Sequence, residues 1–455
     1  FIPTESESGD PQDCAVAVCP NLSTRLKTIS MNANNLSINI IGDAFADVYC
    51  YLEDDMPRHG GDARLMQPMH TVAGGSALNT ATHLSSLLRQ FWNDNSKKKE
   101  GEAQGDDDGN YHQRSCNVNL QTVINENDQY GKMIASHCTN HKVKLVNRRV
   151  SNQPACFFGT NEAALLSQKD DKSTGHCAVI VSRGDRSFMT HLGCMEDFRA
   201  SHVLSNFLME SSHSSKAKDN ITSPTKTHHH VHIAGYYNIS GFWDGELADK
   251  LAEMRTLQEK YNQRVTFSLV PQQDATDAWD GGLMDILQYI DFLILSEVEA
   301  KCITKYPGKR DDANDSDFFQ HMKSFSQEHS WTCIIVTRGS KSACAFHAGG
   351  LIHVQKPPCE INNPTDPTGA GDAFAAGFLH GYLSYVTKSK DDIPNRTTMV
   401  KEGMQWACAA GTCCVTVQGA SVPLGKGMIE RNLNIILERE SSKEGNGVKR
   451  SRDVR

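Results

Sequence analysis

The sequence predicts an α/β fold built around a central, mainly parallel β-sheet. Short apolar runs with the length of strands alternate with longer stretches whose apolar residues have helical spacing. This alternation is typical of β-α-β units, in which a helix connects two parallel strands. The composition is that of a globular protein, because 38% of the 455 residues are hydrophobic and 22% are charged. We therefore expect one large α/β domain with polar insertions.

The domain is predicted to begin with extended segments followed by a helix. The run SINIIGDAFADVYCYL, residues 37–52, predicts a strand that ends at Gly42 and a second extended segment after it. The run GDARLMQPMHTVAGG, residues 61–75, predicts one or two further strands. The run SALNTATHLSSLLRQF, Ser76–Phe91, has helical spacing and no helix breaker, so a helix is predicted there. The segment from about 49 to 72 is expected to form a small β lid.

The rest of the domain repeats the alternation of strands and helices. Strands are predicted at 119–124, 176–182, 230–235, 264–270, 291–296 and 332–337, and helices at 244–261 and 315–329. The domain is expected to span 36–435, with polar insertions at roughly 94–115 and 209–229. A flexible tail is predicted at 1–35 and a charged tail at 436–455. We interpret the histidines at 228–230 and 232 as part of a solvated loop, because consecutive side chains cannot all face one metal ion.

Charge and cysteine usage restrict the class of protein. The formal net charge of −8 argues against general binding of nucleic acid or of an anionic membrane. No run approaches about 20 consecutive apolar residues, so no membrane-spanning helix is expected. Many of the 15 cysteines lie within apolar runs, which is typical of free thiols in a reducing compartment. We expect a cytoplasmic protein; the first residue is Phe1 rather than Met, which leaves an upstream targeting segment open.

The segment NNPTDPTGAGDAFAAGF, residues 362–378, places glycines and a carboxylate in front of an apolar helix. Gly369, Ala370 and Gly371 can present backbone N–H groups at the helix start, where the helix dipole also favours an anion such as a phosphoryl group. Asp372 stands beside this predicted anion hole. A lone Asp at a helix start is as often an N-cap as a functional group. Next to a phosphate cradle it can accept the proton of an attacking hydroxyl.

The run DPTGAGDAFAAGF, Asp366–Phe378, resembles the C-terminal signature of the PfkB, or ribokinase-like, carbohydrate kinase family. The run AGGSALNTATHLSSL, residues 73–87, resembles the N-terminal Gly-Gly signature of that family, and the sequence contains no GxxxxGK[ST] P-loop. The resemblance implies a ribokinase-like three-layer fold with a small β lid. It also implies an ATP-dependent phosphotransferase that acts on a sugar hydroxyl, with Asp372 as general base and Gly369, Ala370 and Gly371 as anion hole.

The resemblance further implies a set of binding residues and cofactors. The substrate-binding residues would be Asp47, Gly74, Gly75, Asn79 and Asp372, and the ATP-binding residues Ser296, Glu299, Thr337, Gly339, Ser340, Gly371 and Gly419. ATP and Mg²⁺ are implied, with Glu299 acting on Mg²⁺ through water. Asp366 and Thr368 are implied as a monovalent-cation site, typically for K⁺. Asp128 and the predicted strand pair within 173–194 are interpreted as structural.

Two positions depart from the family pattern. Ser296 stands where the family usually has Asn, and Ser342 stands where Gly is common. A serine at 342 would be strained if the backbone there requires a positive φ. These departures leave open a catalytically weak member that only binds sugar or nucleotide.

The acceptor and the oligomeric state stay open as well. The run GGSALN, residues 74–79, differs from the GGKGAN pattern that resemblance links to ribose. We favour a sugar acceptor, in the manner of a ribokinase or fructokinase, and keep a nucleoside such as adenosine as the alternative. A homodimer through the lid is compatible with the family, although no residue in the sequence indicates it.

Overall fold

The structure is a computed structural model, and it describes residues 36–92, 116–149, 172–182, 185–210, 228–308, 315–359, 361, 364–388 and 395–450. The predicted tail at 1–35 and the predicted insertion at 94–115 lie outside these residues. None of the described helices combines the length and the apolarity required to cross a lipid bilayer.

The strands of the described residues form two sheets. In chain order they are β1 (Leu36–Gly42), β2 (Phe45–Tyr51), β3 (His70–Gly74), β4 (Cys116–Thr122), β5 (Val143–Asn147), β6 (His176–Ser182), β7 (Asp185–His191), β8 (His228–Ala234), β9 (Arg264–Val270), β10 (Phe292–Ser296), β11 (Cys333–Thr337), β12 (Ala343–His347) and β13 (Gly350–Gln355). The large sheet has the order β13-β12-β11-β10-β9-β8-β1-β4-β5, and the small sheet has the order β3-β2-β6-β7.

The large sheet is parallel from β11 to β5, and only β12 and β13 are antiparallel. The carboxyl ends of β1, β8, β10 and β11 therefore meet at one edge of the sheet. In open α/β sheets, ligands bind at this edge. The predicted mainly parallel α/β fold is confirmed.

Helices cover both faces of the large sheet. In chain order they are α1 (Ser76–Phe91), α2 (Gln129–Asn140), α3 (Phe207–Glu210), α4 (Glu246–Lys260), α5 (Leu283–Ile286), α6 (Glu297–Ile303), α7 (Asp315–Glu328), α8 (Ala370–Lys388), α9 (Arg396–Cys414) and α10 (Lys426–Arg450). One apolar core joins the sheet to α1, α8 and α9, and a second joins it to α4, α5 and α7. The two cores and the sheet between them give three layers.

The small sheet is assembled from two distant parts of the chain. The predicted lid segment at 49–72 supplies the last three residues of β2 and the first three of β3, whereas β6 and β7 come from the strand pair that the sequence places much later. Strand β2 pairs antiparallel with β3 and parallel with β6. Tyr49, Cys177 and Val179 form a buried apolar cluster on this sheet.

The interpretation of the histidine run as a solvated loop is wrong. Strand β8 begins at His228 and is buried along its whole length, so the insertion predicted at 209–229 ends earlier. The imidazoles are paired across β9, because His228 and His230 bond the Thr266 hydroxyl at 3.0 and 2.8 Å, and His230 and His232 bond the Ser268 hydroxyl at 2.8 and 2.7 Å. These hydrogen bonds offset the cost of burying polar rings. No cluster of His, Cys, Asp or Glu among the described residues could hold a metal ion.

The start of the charged tail predicted at 436–455 belongs to the folded domain. Helix α10 continues to Arg450, and Ile436 is buried within the core that joins α1, α8 and α9. Glu440 attaches this part of the helix to α9, because it accepts a hydrogen bond from the Gln405 side-chain amide at 2.9 Å and pairs with Lys401 at 2.8 Å. The beginning of the predicted tail is therefore part of the folded domain.

Candidate active site

Asp372 lies in the first turn of α8 and is buried against the start of α1. Its Oδ1 accepts a hydrogen bond from Ser76 Oγ at 2.6 Å, and its Oδ2 accepts one from the side-chain amide of Asn79 at 2.9 Å. Burial raises the pKa of Asp372 to about 7, and the two hydrogen bonds oppose that rise. A carboxyl group that titrates near neutral pH is suited to accept a proton.

Asp47 lies on β2 of the small sheet and reaches the same region. A side chain at Gly74 would collide with the Asp47 carboxylate, so glycine is required where the two strands approach. Burial, together with the nearby carboxylates of Asp43, Asp372 and Asp366, raises the pKa of Asp47 to about 8. None of the described residues donates a hydrogen bond to this carboxyl group. Asp47 is therefore a buried carboxyl group that is available to hydrogen-bond a ligand.

Asp43 is a further buried carboxylate that the sequence analysis missed. It follows directly after β1, its Oδ1 accepts a hydrogen bond from the Ala77 backbone at 3.1 Å, and its Oδ2 accepts one from the Asn238 amide at 2.7 Å. Burial raises its pKa. Asp43 thus joins the start of α1 to the segment that follows β8. An acid placed immediately after a buried strand was the available sequence signal.

The glycines of the predicted anion hole have different environments. Gly369 has a φ of +78°, and a Cβ there would lie 2.7 Å from the carbonyl oxygen of Ala420. Gly371 is exposed, and no atom lies within 4 Å of the place where its Cβ would stand. The amide of Ala370 donates to the Pro367 carbonyl at 3.3 Å and that of Ala373 to the Gly369 carbonyl at 2.8 Å, so the amides of Gly371 and Asp372 between them belong to the turn that lacks intrahelical acceptors. The helix start is therefore open to an anion at Gly371.

Asp366 joins this helix start to the loop that precedes α10. Its Oδ1 accepts a hydrogen bond from the Thr368 backbone at 2.9 Å, and its Oδ2 accepts one from the Gly419 backbone at 3.0 Å. The Thr368 hydroxyl is buried and has no hydrogen-bond partner among the described residues. The structure thus brings Gly419 next to Asp366 across 53 positions of sequence.

Ser296 and Glu299 bond each other at the carboxyl end of β10. The Ser296 hydroxyl accepts a hydrogen bond from the Glu299 backbone at 3.2 Å, and Glu299 Oε2 accepts one from the Ser296 backbone at 2.6 Å. This reciprocal pair is a capping box that begins α6. The charge of Glu299 contributes to the raised pKa of Asp372.

The predicted nucleotide loop follows the adjacent strand. Thr337 pairs with Ser296 in the sheet, and both Gly339, with a φ of +56°, and Ser340 are exposed beyond it. Ser342 is not among the residues with a positive φ. The condition under which a serine would be strained there, a positive φ, is therefore not met.

The lid contributes aromatic residues that the sequence analysis did not single out. The rings of Tyr49 and His70 are stacked with centroids 5.4 Å apart, and Tyr51 stacks on Tyr49 at 5.8 Å. Tyr49 lies on the same face of β2 as Asp47, because alternate residues of a strand share a face. Its buried hydroxyl has no hydrogen-bond partner within the described part of the chain. The alternation of Asp47, Tyr49 and Tyr51 was the signal that could have indicated this face.

Comparison with known sequences identifies relatives of this arrangement. A family model described as pfkB family carbohydrate kinase matches residues 162–426. Fructokinase-2 of Oryza sativa subsp. japonica is 24% identical over 304 residues, which cover 64% of this chain and 72% of that protein. An adenosine kinase of Schizophyllum commune is 26% identical over 230 residues, which cover 49% of this chain and 59% of that protein.

Solved structures share the fold at lower sequence identity. Ribokinase from Giardia lamblia superposes with a TM-score of 0.60 at 16% identity, covering 87% of this chain and 99% of that one. Arabidopsis thaliana ribokinase, solved in complex with ribose and ATP, has a TM-score of 0.53 at 18% identity, covering 88% and 98%. The family model spans more than half of the sequence and includes the segment that carries Asp372. The chain therefore belongs to the pfkB family of carbohydrate kinases.

Proposed function

We propose that the chain transfers the γ-phosphoryl group of ATP to a hydroxyl group of a sugar, in the manner of a ribokinase or fructokinase. The observation that carries this proposal is the position of Asp372 at the open start of α8, with both carboxylate oxygens held by α1. A buried base beside exposed first-turn amides is the combination that phosphoryl transfer to an alcohol requires. Membership in a carbohydrate kinase family supports the same reaction.

In the proposed reaction, Asp372 accepts the proton of the acceptor hydroxyl. Its pKa of about 7 leaves a large share of the carboxyl ionised at neutral pH. The acceptor oxygen attacks the γ-phosphorus, the bond from that phosphorus to the bridging oxygen breaks, and ADP leaves. The amides of Gly369, Ala370 and Gly371 would stabilise the charge on the transferring group.

We assign binding of the sugar to buried polar groups that form no hydrogen bond with the described residues. The Asp47 carboxylate receives no hydrogen bond from them, and the buried Asn79 Oδ1 has no partner among them. A buried polar oxygen without a hydrogen-bond partner costs free energy, so a sugar hydroxyl that donates a hydrogen bond to it is expected to bind well. Gly74 and Gly75 would allow the sugar to approach the backbone, since neither has a side chain.

The nucleotide and cation sites remain proposals that rest on the same edge of the sheet. Ser296, Glu299, Thr337, Gly339, Ser340, Gly371 and Gly419 are proposed to line the ATP site. Glu299 retains one oxygen that is not used by the capping box, which fits the proposed contact to Mg²⁺ through water. Bound Mg²⁺ would neutralise charge on the nucleotide phosphates. Asp366 and the unpartnered Thr368 hydroxyl are proposed for the monovalent cation, since hard oxygen donors suit K⁺.

A nucleoside acceptor is the second candidate. The stacked rings of Tyr49, Tyr51 and His70 lie on the lid beside Asp47, where an aromatic base could stack on them. The similarity to a protein named adenosine kinase also supports a nucleoside acceptor. A silent, purely binding member is less well supported, because Ser342 is unstrained and Ser296 has a defined role as the cap of α6.

The test is ADP release from Mg-ATP in the presence of K⁺, with pentoses, ketohexoses and nucleosides as separate acceptors. We expect turnover with one class and a loss of about 10²–10⁴-fold in kcat for Asp372→Asn, because the general base is removed. Asp249→Asn, an exposed position on α4, is the matched control and should retain wild-type turnover. Wild-type turnover by Asp372→Asn would exclude Asp372 as the base, and turnover restricted to nucleosides would select the second candidate.

A further inference from the structure

The first turn of α1 makes a direct contact with the proposed catalytic base. Ser76 is 1% exposed, and its hydroxyl donates to Asp372 Oδ1 at 2.6 Å across 296 positions of sequence. Asn79, one turn later, donates to the other oxygen at 2.9 Å. The two donors therefore hold the carboxylate by both oxygens, and one of them, Ser76, was not among the residues that the family resemblance implied.

The backbone around Ser76 is held in place by Asp43. Asp43 accepts a hydrogen bond from the Ala77 backbone at 3.1 Å, and its other oxygen is bound by Asn238 at 2.7 Å. Gly75 has a φ of +96°, and a Cβ there would lie 2.8 Å from the Asp43 carbonyl oxygen. The backbone at Ser76 thus has little freedom, so its hydroxyl is held toward Asp372 and does not need to be ordered when substrate binds.

We propose that Ser76 is a positioning residue for the base, whose hydroxyl orients the Asp372 carboxylate toward the acceptor and stabilises its ionised form. This inference rests on the proposed function of Asp372. A hydrogen bond donated to a carboxylate is stronger than one donated to the neutral acid, and it also fixes which lone pairs remain free. The lone pairs that Ser76 and Asn79 leave unused are those that an acceptor hydroxyl would reach.

The surroundings of Asp372 make this donor important. The titratable groups that face it are Asp43 after β1, Asp47 on β2, Glu299 on α6 and Cys414 on α9. Burial and the charges of Asp43 and Glu299 raise the pKa of Asp372, whereas the hydrogen bonds from Ser76 and Asn79 lower it. Removal of the Ser76 hydroxyl is therefore expected to raise the pKa of the base.

The experiment compares pH profiles of kcat/KM for the wild type, Ser76→Ala and Ser76→Thr with the best acceptor. For Ser76→Ala we expect the acid limb to move up by about one to two pH units, because a hydrogen bond to a charged group is lost. Activity should fall most below pH 7 and recover at alkaline pH. Ser76→Thr keeps the hydroxyl and should return the limb toward the wild-type position. A uniform loss at every pH, with the limb unmoved, would overturn the inference.

Ser86→Ala is the matched control. Ser86 is also buried on α1, but its hydroxyl accepts from Gln90 at 2.7 Å and does not reach the base. This variant should leave the acid limb in place, and a shift equal to that of Ser76→Ala would mean that any lost hydroxyl on α1 has the same effect. Thermal unfolding of each variant establishes that the compared proteins are folded.

A second measurement does not depend on turnover. Carboxyl ¹³C NMR of protein labelled at aspartate follows the titration of Asp372, which is assigned by its absence in Asp372→Asn. An upward shift in Ser76→Ala together with an inactive Asp372→Asn supports both proposals, whereas retained activity of Asp372→Asn overturns the role of Asp372 as base and the positioning role of Ser76 with it. An unchanged titration overturns the inference even if Asp372→Asn is inactive.

Discussion

The acidic side chains of the site are held in an environment that does not favour their charge. Asp43, Asp47 and Asp372 are each buried at one edge of the sheet, and burial raises the pKa of all three. A buried carboxylate costs stability unless hydrogen bonds or cations compensate it. Asp43 and Asp372 have such donors, but Asp47 has none among the described residues. Asp47, the carboxyl group that is available to a ligand, is therefore also the one whose ionised form is least stabilised by the protein.

Replacement of Asp47 by Asn should stabilise the fold in a pH-dependent manner. The pKa of Asp47 is about 8 in the folded protein and near 3.8 in the unfolded chain, so the folded state holds a proton that the unfolded state has lost between these values. Wild-type stability therefore falls as pH rises from about 4 to 8. Relative to wild type, Asp47→Asn should gain on the order of a few kcal/mol by pH 8.

Urea unfolding of both proteins at a series of pH values measures this gain. The difference in unfolding free energy should be small near pH 4 and largest at pH 8. Asp249→Asn provides the comparison at an exposed position. An equal difference at pH 4 and pH 8 would show that the ionised Asp47 carboxylate does not destabilise the fold.

Local sequence patterns revealed some of these residues and not others. Asp372 stands in a long glycine-containing pattern, and Asn79 and Gly74 stand in a second one, so these positions could be selected from the sequence. The roles of Ser76 and Asp43 depend on contacts with Asp372 and Asn238, which are far away in the chain. Nothing in the local pattern distinguishes such a serine from any other residue at a helix start.

At the scale of elements, the backbone at the start of α8 is proposed to bind the phosphoryl group that is transferred. Gly369 and Gly371 look equivalent in the sequence, but only Gly369 has a positive φ and a close backbone neighbour. Gly371 lies in a helical turn with open space around it. The first glycine is thus required for the turn, whereas the second is required only if an anion occupies that space.

Alanine at each position should separate these two requirements. Gly371→Ala should fold with unchanged or slightly higher stability, by up to about 1 kcal/mol, because alanine favours a helix. Its kcat should nevertheless fall by at least tenfold, since the methyl group enters the proposed phosphoryl site. Gly369→Ala should lose about 1–2 kcal/mol of stability from the left-handed backbone, and more from contact with Ala420.

Thermal unfolding and ADP release on the same preparations measure both effects. Gly427→Ala, at another open helical position outside the site, should keep the wild-type kcat with a similar small gain in stability, and it serves as control. Full activity of Gly371→Ala would exclude a phosphoryl group from the space at this helix start.

Strand β8 shows why an element bound was misplaced, because the sequence predicts a strand over 230–235 and assigns 228 and 229 to the preceding insertion. Four of the first five residues of the strand are histidines, and their polarity favours a solvated loop. The register with β9 places Thr266 opposite His230 and Ser268 opposite His232, so hydroxyls are supplied along the strand. Strands such as 264–270, where apolar residues dominate, were predicted with the observed bounds. Burial of a polar strand depends on its neighbour, and the neighbour is not visible in the strand's own sequence.

At the scale of the whole molecule, the fold class followed from local alternation, but the assembly of the lid did not. The parallel pairing of β2 with β6 joins segments separated by β3, α1, β4, α2 and β5. The polar segments between them gave no sign of that pairing. The same pairing places Asp47 next to β6, so the second half of the lid supports a residue of the proposed acceptor site.

The buried ionisable groups predict an optimum of stability near pH 6.5. Among the described residues, burial lowers the pKa of six well-buried histidines, which are His83, His137, His228, His229, His230 and His232. The unfolded chain binds protons at these histidines first, so stability falls as pH drops below about 6.5. Four buried carboxyl groups have raised pKa values, so they lower the stability as pH rises; these are Asp43, Asp47, Asp372 and Glu299.

The histidines and the carboxyl groups affect stability over overlapping ranges of pH, and the balance between them decides the shape of the curve of unfolding free energy against pH. Between about pH 4.5 and 6.5 the six histidines outnumber the four carboxyls, so the unfolding free energy should rise with pH. Between 6.5 and 8 the histidines of the unfolded chain have lost their protons, while Asp47 and Asp372, with pKa values of about 8 and 7, still release protons from the folded state, so the unfolding free energy should fall. Urea unfolding across this range measures the curve, and Asp47→Asn should make the rise on its acid side steeper and the fall on its alkaline side shallower. Stability that rises steadily through pH 8 would mean that the acidic site is compensated in the folded protein by groups beyond those that contact it here.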